Sequence, residues 1–70
     1  MRYAVVIEKS ENNYAAYVPD LPGCVATGKT IQEIEPEIQE AIQFHLRGMR
    51  EDGLSIPAPS SQVKYIEITT

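Results

Sequence analysis

Few side chains in this sequence could carry chemistry. His45 is the only histidine and Cys24 the only cysteine. A histidine working as a general base needs an acid or a nucleophile within reach. His45 instead shares an apolar helical face with Ile38, Ala41, Ile42 and Met49, which reads as packing. Cys24 follows a tight turn, and no neighbouring cation lowers its thiol pKa, so it reads as a small buried hydrophobe. Glu33, Glu35, Glu37 and Glu40 crowd the first half of a predicted helix, with Arg47 and Arg50 near its end. Complementing the helix dipole accounts for part of that pattern. Glu33 and Glu37, however, are like charges four residues apart, which is unfavourable. An acidic patch for a basic partner is therefore an equal reading. Tyr3, Tyr14, Tyr17 and Tyr65 all fall on predicted strands, as sheet packing or as one or two interface anchors. The sequence has no phosphate-cradling glycine loop, metal-ligand spacing or Ser-His-Asp arrangement. Catalysis, a cofactor and a metal are not expected.

The elements that would position these residues are organised around Pro19-Asp20-Leu21-Pro22-Gly23-Cys24. Leu21 to Cys24 has the composition of a type II turn, with proline presetting φ and glycine taking the positive φ that follows. Pro19 lacks a backbone donor and should end strand pairing. Asp20 is expected to accept a hydrogen bond from the backbone just ahead of it. Before the turn, Tyr3–Glu8 alternates with Tyr3, Val5 and Ile7 on one face. Tyr14–Val18 alternates with Tyr14, Ala16 and Val18 on one face, and the polar Ser10–Asn13 between them predicts a hairpin. Cys24–Thr27 is a short third strand that Gly28 should break.

Thr30-Ile31-Gln32-Glu33 is a capping box: the Thr30 hydroxyl accepts from the Glu33 N–H, and the Glu33 carboxylate reaches back to the Thr30 N–H. Ile31, Ile34, Ile38, Ala41, Ile42, His45, Leu46 and Met49 then recur at helical steps as far as about Asp52, with Gly53 as the stop. Such a helix is ~33 Å long. Pro36 lies on its outer face, and a continuous, kinked helix is preferred over one that starts late at Pro36. Pro57 and Pro59 make an extended connector. Val63–Thr69 alternates again and predicts a fourth strand, suited to an edge or a subunit seam. The expected fold is α+β in the order β-β-β-α-β, an antiparallel meander with one long helix on the sheet and a closing strand.

The 70 residues predict a single domain over 1–70. A domain this small buries only about 60% of its unfolded surface and usually adds disulfides, a metal or a partner. One cysteine forms no internal disulfide, and one histidine with one cysteine makes a poor zinc site. A partner chain remains. Ten acidic against six basic residues give a net charge of −4, which disfavours nucleic acid and weakly favours a basic protein. No apolar run approaches the ~20 residues of a membrane span, and Met1-Arg2 leads straight into strand pattern without a leader. A soluble cytoplasmic protein is expected.

With these residues in place, the chain resembles the HicB family of prokaryotic antitoxins over residues 3 to about 60. The resemblance rests on Tyr17-Val18-Pro19-Asp20-Leu21-Pro22-Gly23-Cys24, Gly28-Lys29-Thr30 with Glu33, Glu40-Ala41-Ile42, Asp52-Gly53 and Ile56-Pro57-Ala58-Pro59. It implies a partial ribonuclease-H-like β-β-β-α-β domain without nuclease activity, and self-association as a dimer or tetramer. The implied partner is a HicA-type toxin, a small basic protein that cleaves mRNA through a histidine and whose site the antitoxin masks. Asp20, Glu33, Glu37 and Glu40 are the candidate contacts. Many family members continue into a DNA-binding segment that these residues do not include, so direct nucleic-acid binding is not expected. The alternative is a solitary homo-oligomeric domain with neither toxin nor DNA-binding role. An adjacent reading frame for a short basic protein separates the two.

Overall fold

In the computed structural model, which covers Met1–Thr70, three strands are followed by one helix: β1 Val6–Lys9, β2 Tyr14–Tyr17, β3 Val25–Gly28 and α1 Ile31–Glu51. The strands form one antiparallel sheet in the order β1-β2-β3. The hairpin closes through Ser10, whose N–H donates to the Asn13 carbonyl at 2.9 Å. On one face, Ile7 pairs with Ala16 and Ala16 with Ala26. That face meets α1, which crosses β2 and β3. Ala16, Val18, Leu21, Cys24, Ile34, Ile38 and Leu46 are buried there, with Tyr3, Val5 and Tyr14 packed around them.

The helix follows its local signals closely. The Thr30 Oγ1 accepts from the Glu33 N–H at 3.1 Å. The Glu33 carboxylate reaches one residue further back than a regular capping box predicts, to the Lys29 N–H at 3.0 Å. At the other end, Gly53 takes φ +70°, its N–H donates to the Arg50 carbonyl, and the Leu54 N–H donates to the Met49 carbonyl at 2.9 Å. These are the paired bonds of a Schellman termination. Pro36 lies inside an unbroken helix of 21 residues. Its ring forgoes one intrahelical bond, and the buried Ile34 and Ile38 on either side hold the segment to the sheet.

Gly28 is the last residue of β3, paired with Tyr14, one residue beyond the expected end at Thr27. A Cβ there would stand 3.2 Å from the Ile34 backbone nitrogen and 3.3 Å from its Cα, so the missing side chain sets how closely α1 approaches the sheet. Gly28→Val is expected to destabilise the fold by about 2 kcal/mol through overpacking. Urea unfolding checks this: the midpoint should fall while the slope is preserved.

Two expected strands are shifted at an end, β2 stopping at Tyr17 and β3 starting at Val25, and the other two differ more deeply. β1 starts at Val6, not Tyr3, because Val6 already pairs with Tyr17, the last residue of β2. The earlier residues lie outside the ladder, although Tyr3 and Val5 still pack against the core. The fourth strand over Val63–Thr69 is absent, and residues 54–70 adopt no regular structure. Ser61 and Val63 lie beside Arg2, Tyr3 and Ala4, a stretch that is itself outside the ladder. Alternation there meets no paired edge.

Candidate functional site

The Pro-Gly turn forms as its composition predicts. The Cys24 N–H donates to the Leu21 carbonyl at 3.0 Å, and Gly23 has φ +84°, as the third position of a type II turn requires. Leu21 and Cys24 are buried at the two ends of the turn, so it plugs the core while Pro22 and Gly23 face solvent. Burial pushes the Cys24 thiol pKa up, away from the thiolate that reactive cysteines need. His45 is half-buried on α1, on the apolar face where its spacing put it.

Asp20 binds across the fold rather than to the backbone just ahead of it. Its Oδ2 accepts from the N–H groups of Ser60 at 2.9 Å and Ser61 at 3.1 Å. Its Oδ1 accepts from the Ser60 hydroxyl at 3.1 Å and the Ser61 hydroxyl at 2.7 Å. The Tyr3 hydroxyl donates to the Pro57 carbonyl at 2.6 Å. Together these bonds bring the chain after α1 back beside Tyr3, ahead of β1, and beside the turn. The Ser60 backbone bond, followed by the Ser61 hydroxyl and backbone bonds, lowers the Asp20 carboxyl pKa from 3.8 to about 2.

A carboxyl pKa lowered by folding contributes stability above its unfolded value, and that contribution is lost as pH falls through the folded value. The latch should therefore be intact above about pH 4 and open as pH falls towards about 2. Melting temperature measured against pH checks this. The wild-type chain is expected to lose more between those limits than Asp20→Asn, which starts lower at neutral pH and responds less.

Glu33, Glu37 and Glu40 follow steps of four and three along α1, so they share one stripe. Phe44 and Arg47 continue it by the same steps. All five are exposed, while the buried Ile34, Ile38 and Leu46 define the opposite side. Glu37, Glu40, Ala41, Gln43, Phe44 and Arg47 line a shallow cleft of about 330 Å³. Glu33 lies instead at the polar cleft with Asn12, Asn13, Thr27, Gly28 and Lys29. Of the four candidate contacts, the structure brings Glu37 and Glu40 together, places Glu33 one turn away in the cap, and assigns Asp20 to the latch.

Phe44 joins these carboxylates although no charge marks it in the sequence. It is 73% exposed, and its signal is that it falls out of phase with the apolar face and in phase with the glutamates. Carboxylates beside an open aromatic ring offer charge-assisted hydrogen bonds and a π face to a guanidinium or ammonium group. The site holds no nucleophile and no paired acid and base.

The geometry defines a small α+β domain that presents an acidic and aromatic helix face. The family model for the HicB_like antitoxin of bacterial toxin-antitoxin systems matches residues 3–69, and the chain belongs to that family. It is a family of binding proteins, not enzymes. The chain is 44% identical over 64 residues to a UPF0150 protein of Helicobacter pylori, covering 90% of this chain and 89% of that protein. It is 41% identical over 66 residues to a 14.9 kDa protein from the rep-hol intergenic region of Haemophilus phage HP1. That match takes in 94% of this chain but spans only half the length of the phage protein. Among solved structures, a chain of a HicA3 and HicB3 toxin-antitoxin complex superposes with a TM-score of 0.73 at 28% identity, over 86% of this chain and 70% of that one. No helix is long and apolar enough to cross a membrane.

Proposed function

We propose that this chain neutralises a small basic, RNA-cleaving toxin of the HicA type by binding it and masking its active site in the cytoplasm. The observation that carries the reading is the outward stripe of Glu33, Glu37, Glu40 and Phe44 on α1, in a member of an antitoxin family. A protein that cleaves RNA must surround its active site with cations to hold the phosphate backbone. Carboxylates on a rigid helix compete for those same cations without offering a bond to cleave. In this reading, Glu37 and Glu40 are the central contacts and Phe44 an apolar anchor one turn beyond them. Glu33 extends the charged surface. Asp20 contributes at the edge through the turn it holds in place.

The test is to mix the purified chain with the small basic protein encoded beside it and follow the complex by light scattering. A defined complex whose affinity falls steeply with added salt is expected, because charge pairing at an exposed surface is screened. Two species that stay separate at every salt concentration would remove the reading for that pair.

A further inference from the structure

The fold accounts for three of the four glycines. Gly23 and Gly53 take positive φ, and a Cβ at Gly28 would press on the Ile34 backbone. Gly48 has no such reason. It lies inside α1 on ordinary helical backbone, and a Cβ built on it would meet nothing within 4 Å. Glycine in a helix interior is less stable than alanine, so the fold alone favours a side chain here. What glycine offers instead is a low point on the helix, where another main chain can come close.

Its place on α1 ties that low point to the acidic and aromatic face. Gly48 follows Phe44 by four residues, as Phe44 follows Glu40, so the three form one row. Ala41, three residues before Phe44, is a second small residue and lines the cleft with Glu37 and Glu40. Phe44, 73% exposed, therefore stands as a ridge between two low positions. A long helical side chain leans towards the helix N-terminus, which tilts this ring towards Glu40 and leaves Gly48 uncovered.

Resting on the antitoxin reading, we propose that Gly48 is the point of closest approach for the toxin's main chain. An arginine from that stretch of toxin then lies across Phe44 and reaches Glu40. A guanidinium is flat enough to stack on the ring, forked to match a carboxylate, and more weakly hydrated than an ammonium. Lysine brings a point charge, which the carboxylates would hold without the ring. Arg47, three residues after Phe44, lies on the flank of the ring opposite Ala41. It repels a cation arriving from that side, so entry is over Gly48 and Ala41. A protein that cleaves RNA has such arginines to offer, because the phosphate backbone is held by the same forked cation.

The test measures each variant's affinity for the small basic protein encoded beside this chain, by isothermal titration, together with its melting temperature. Gly48→Ala and Gly48→Leu should melt no lower than the unsubstituted chain, because the position is open and glycine is the poorer helix former. Their affinity should nevertheless fall, about threefold for Gly48→Ala and about 30-fold for Gly48→Leu, as a side chain lifts the partner off the helix. Phe44→Leu keeps apolar bulk and loses the π face, and should bind about fivefold more weakly, whereas Phe44→Trp should not. Undiminished affinity in Gly48→Leu or in Phe44→Leu would overturn this docking mode and leave the antitoxin reading standing. A lower melting temperature in Gly48→Leu would overturn it too, by making Gly48 a packing residue. A change in that variant's own oligomeric state would do the same, by giving the face to a second copy. No complex with the unsubstituted chain would remove the antitoxin reading itself, and this inference with it.

Discussion

Ile34→Ala is expected to lower the melting temperature by roughly 12–24 °C, taking about 3 kcal/mol for the lost side chain and about 4–8 °C per kcal/mol in a domain of this size. Ile34 is fully buried, and its backbone stands against Gly28. The helix therefore cannot settle into the space a truncated side chain leaves. Small domains hold little stability in reserve, so much of the folded population would be lost at 37 °C. Ile31→Ala is the control. Ile31 begins the same apolar series but is 42% exposed at the helix start, and its truncation should cost about 1 kcal/mol or less. Thermal unfolding followed by circular dichroism checks both. Equal losses at the two positions would show that α1 is not seated on the sheet through Ile34.

Reversing charge with Glu37→Lys and Glu40→Lys together is expected to weaken the toxin complex about 100-fold, or about 2.8 kcal/mol. The fold should respond in the opposite direction. Glu33 and Glu37 repel along the helix, and a lysine at position 37 turns that repulsion into attraction, a gain of a few tenths of a kcal/mol. Weakened binding with unchanged or raised melting temperature would therefore separate the contact from folding. Phe44→Ser, at an exposed position, should remove a further tenfold or so if the ring anchors the partner. Isothermal titration gives the affinities. Unaltered binding in the double reversal would move the contact off this face of α1.

Much of this architecture was legible in the residues, because its determinants are local. Thr30 and Glu33 mark the helix start, and Gly53 marks its stop. Ile34, Ile38, Leu46 and Met49 name the buried side, and Pro22-Gly23 fixes the turn. These signals act within a few residues of themselves. What was not legible depends on distant partners. Asp20 reads as a local cap, but its acceptors meet Ser60 and Ser61, forty residues along the chain. Val63–Thr69 reads as a strand, but a strand exists only where an edge receives it, and alternation does not say where that edge is. Tyr3 carries strand character, yet β2 ends before it can pair. Charge alone marks the four candidate contacts in the sequence. Charge does not distinguish Glu37 and Glu40, which line one cleft with Phe44, from Asp20, whose oxygens are already bonded within the chain.

The measurement that tests the central claim most directly is RNA cleavage by the small basic protein encoded beside this chain, followed as the chain is titrated in. Neutralisation by masking predicts a linear fall in cleavage that reaches zero at a fixed stoichiometry, with the Glu37→Lys/Glu40→Lys chain shifted to much higher concentration. Cleavage that continues at full rate beyond an equimolar amount, with no complex in solution, would contradict it.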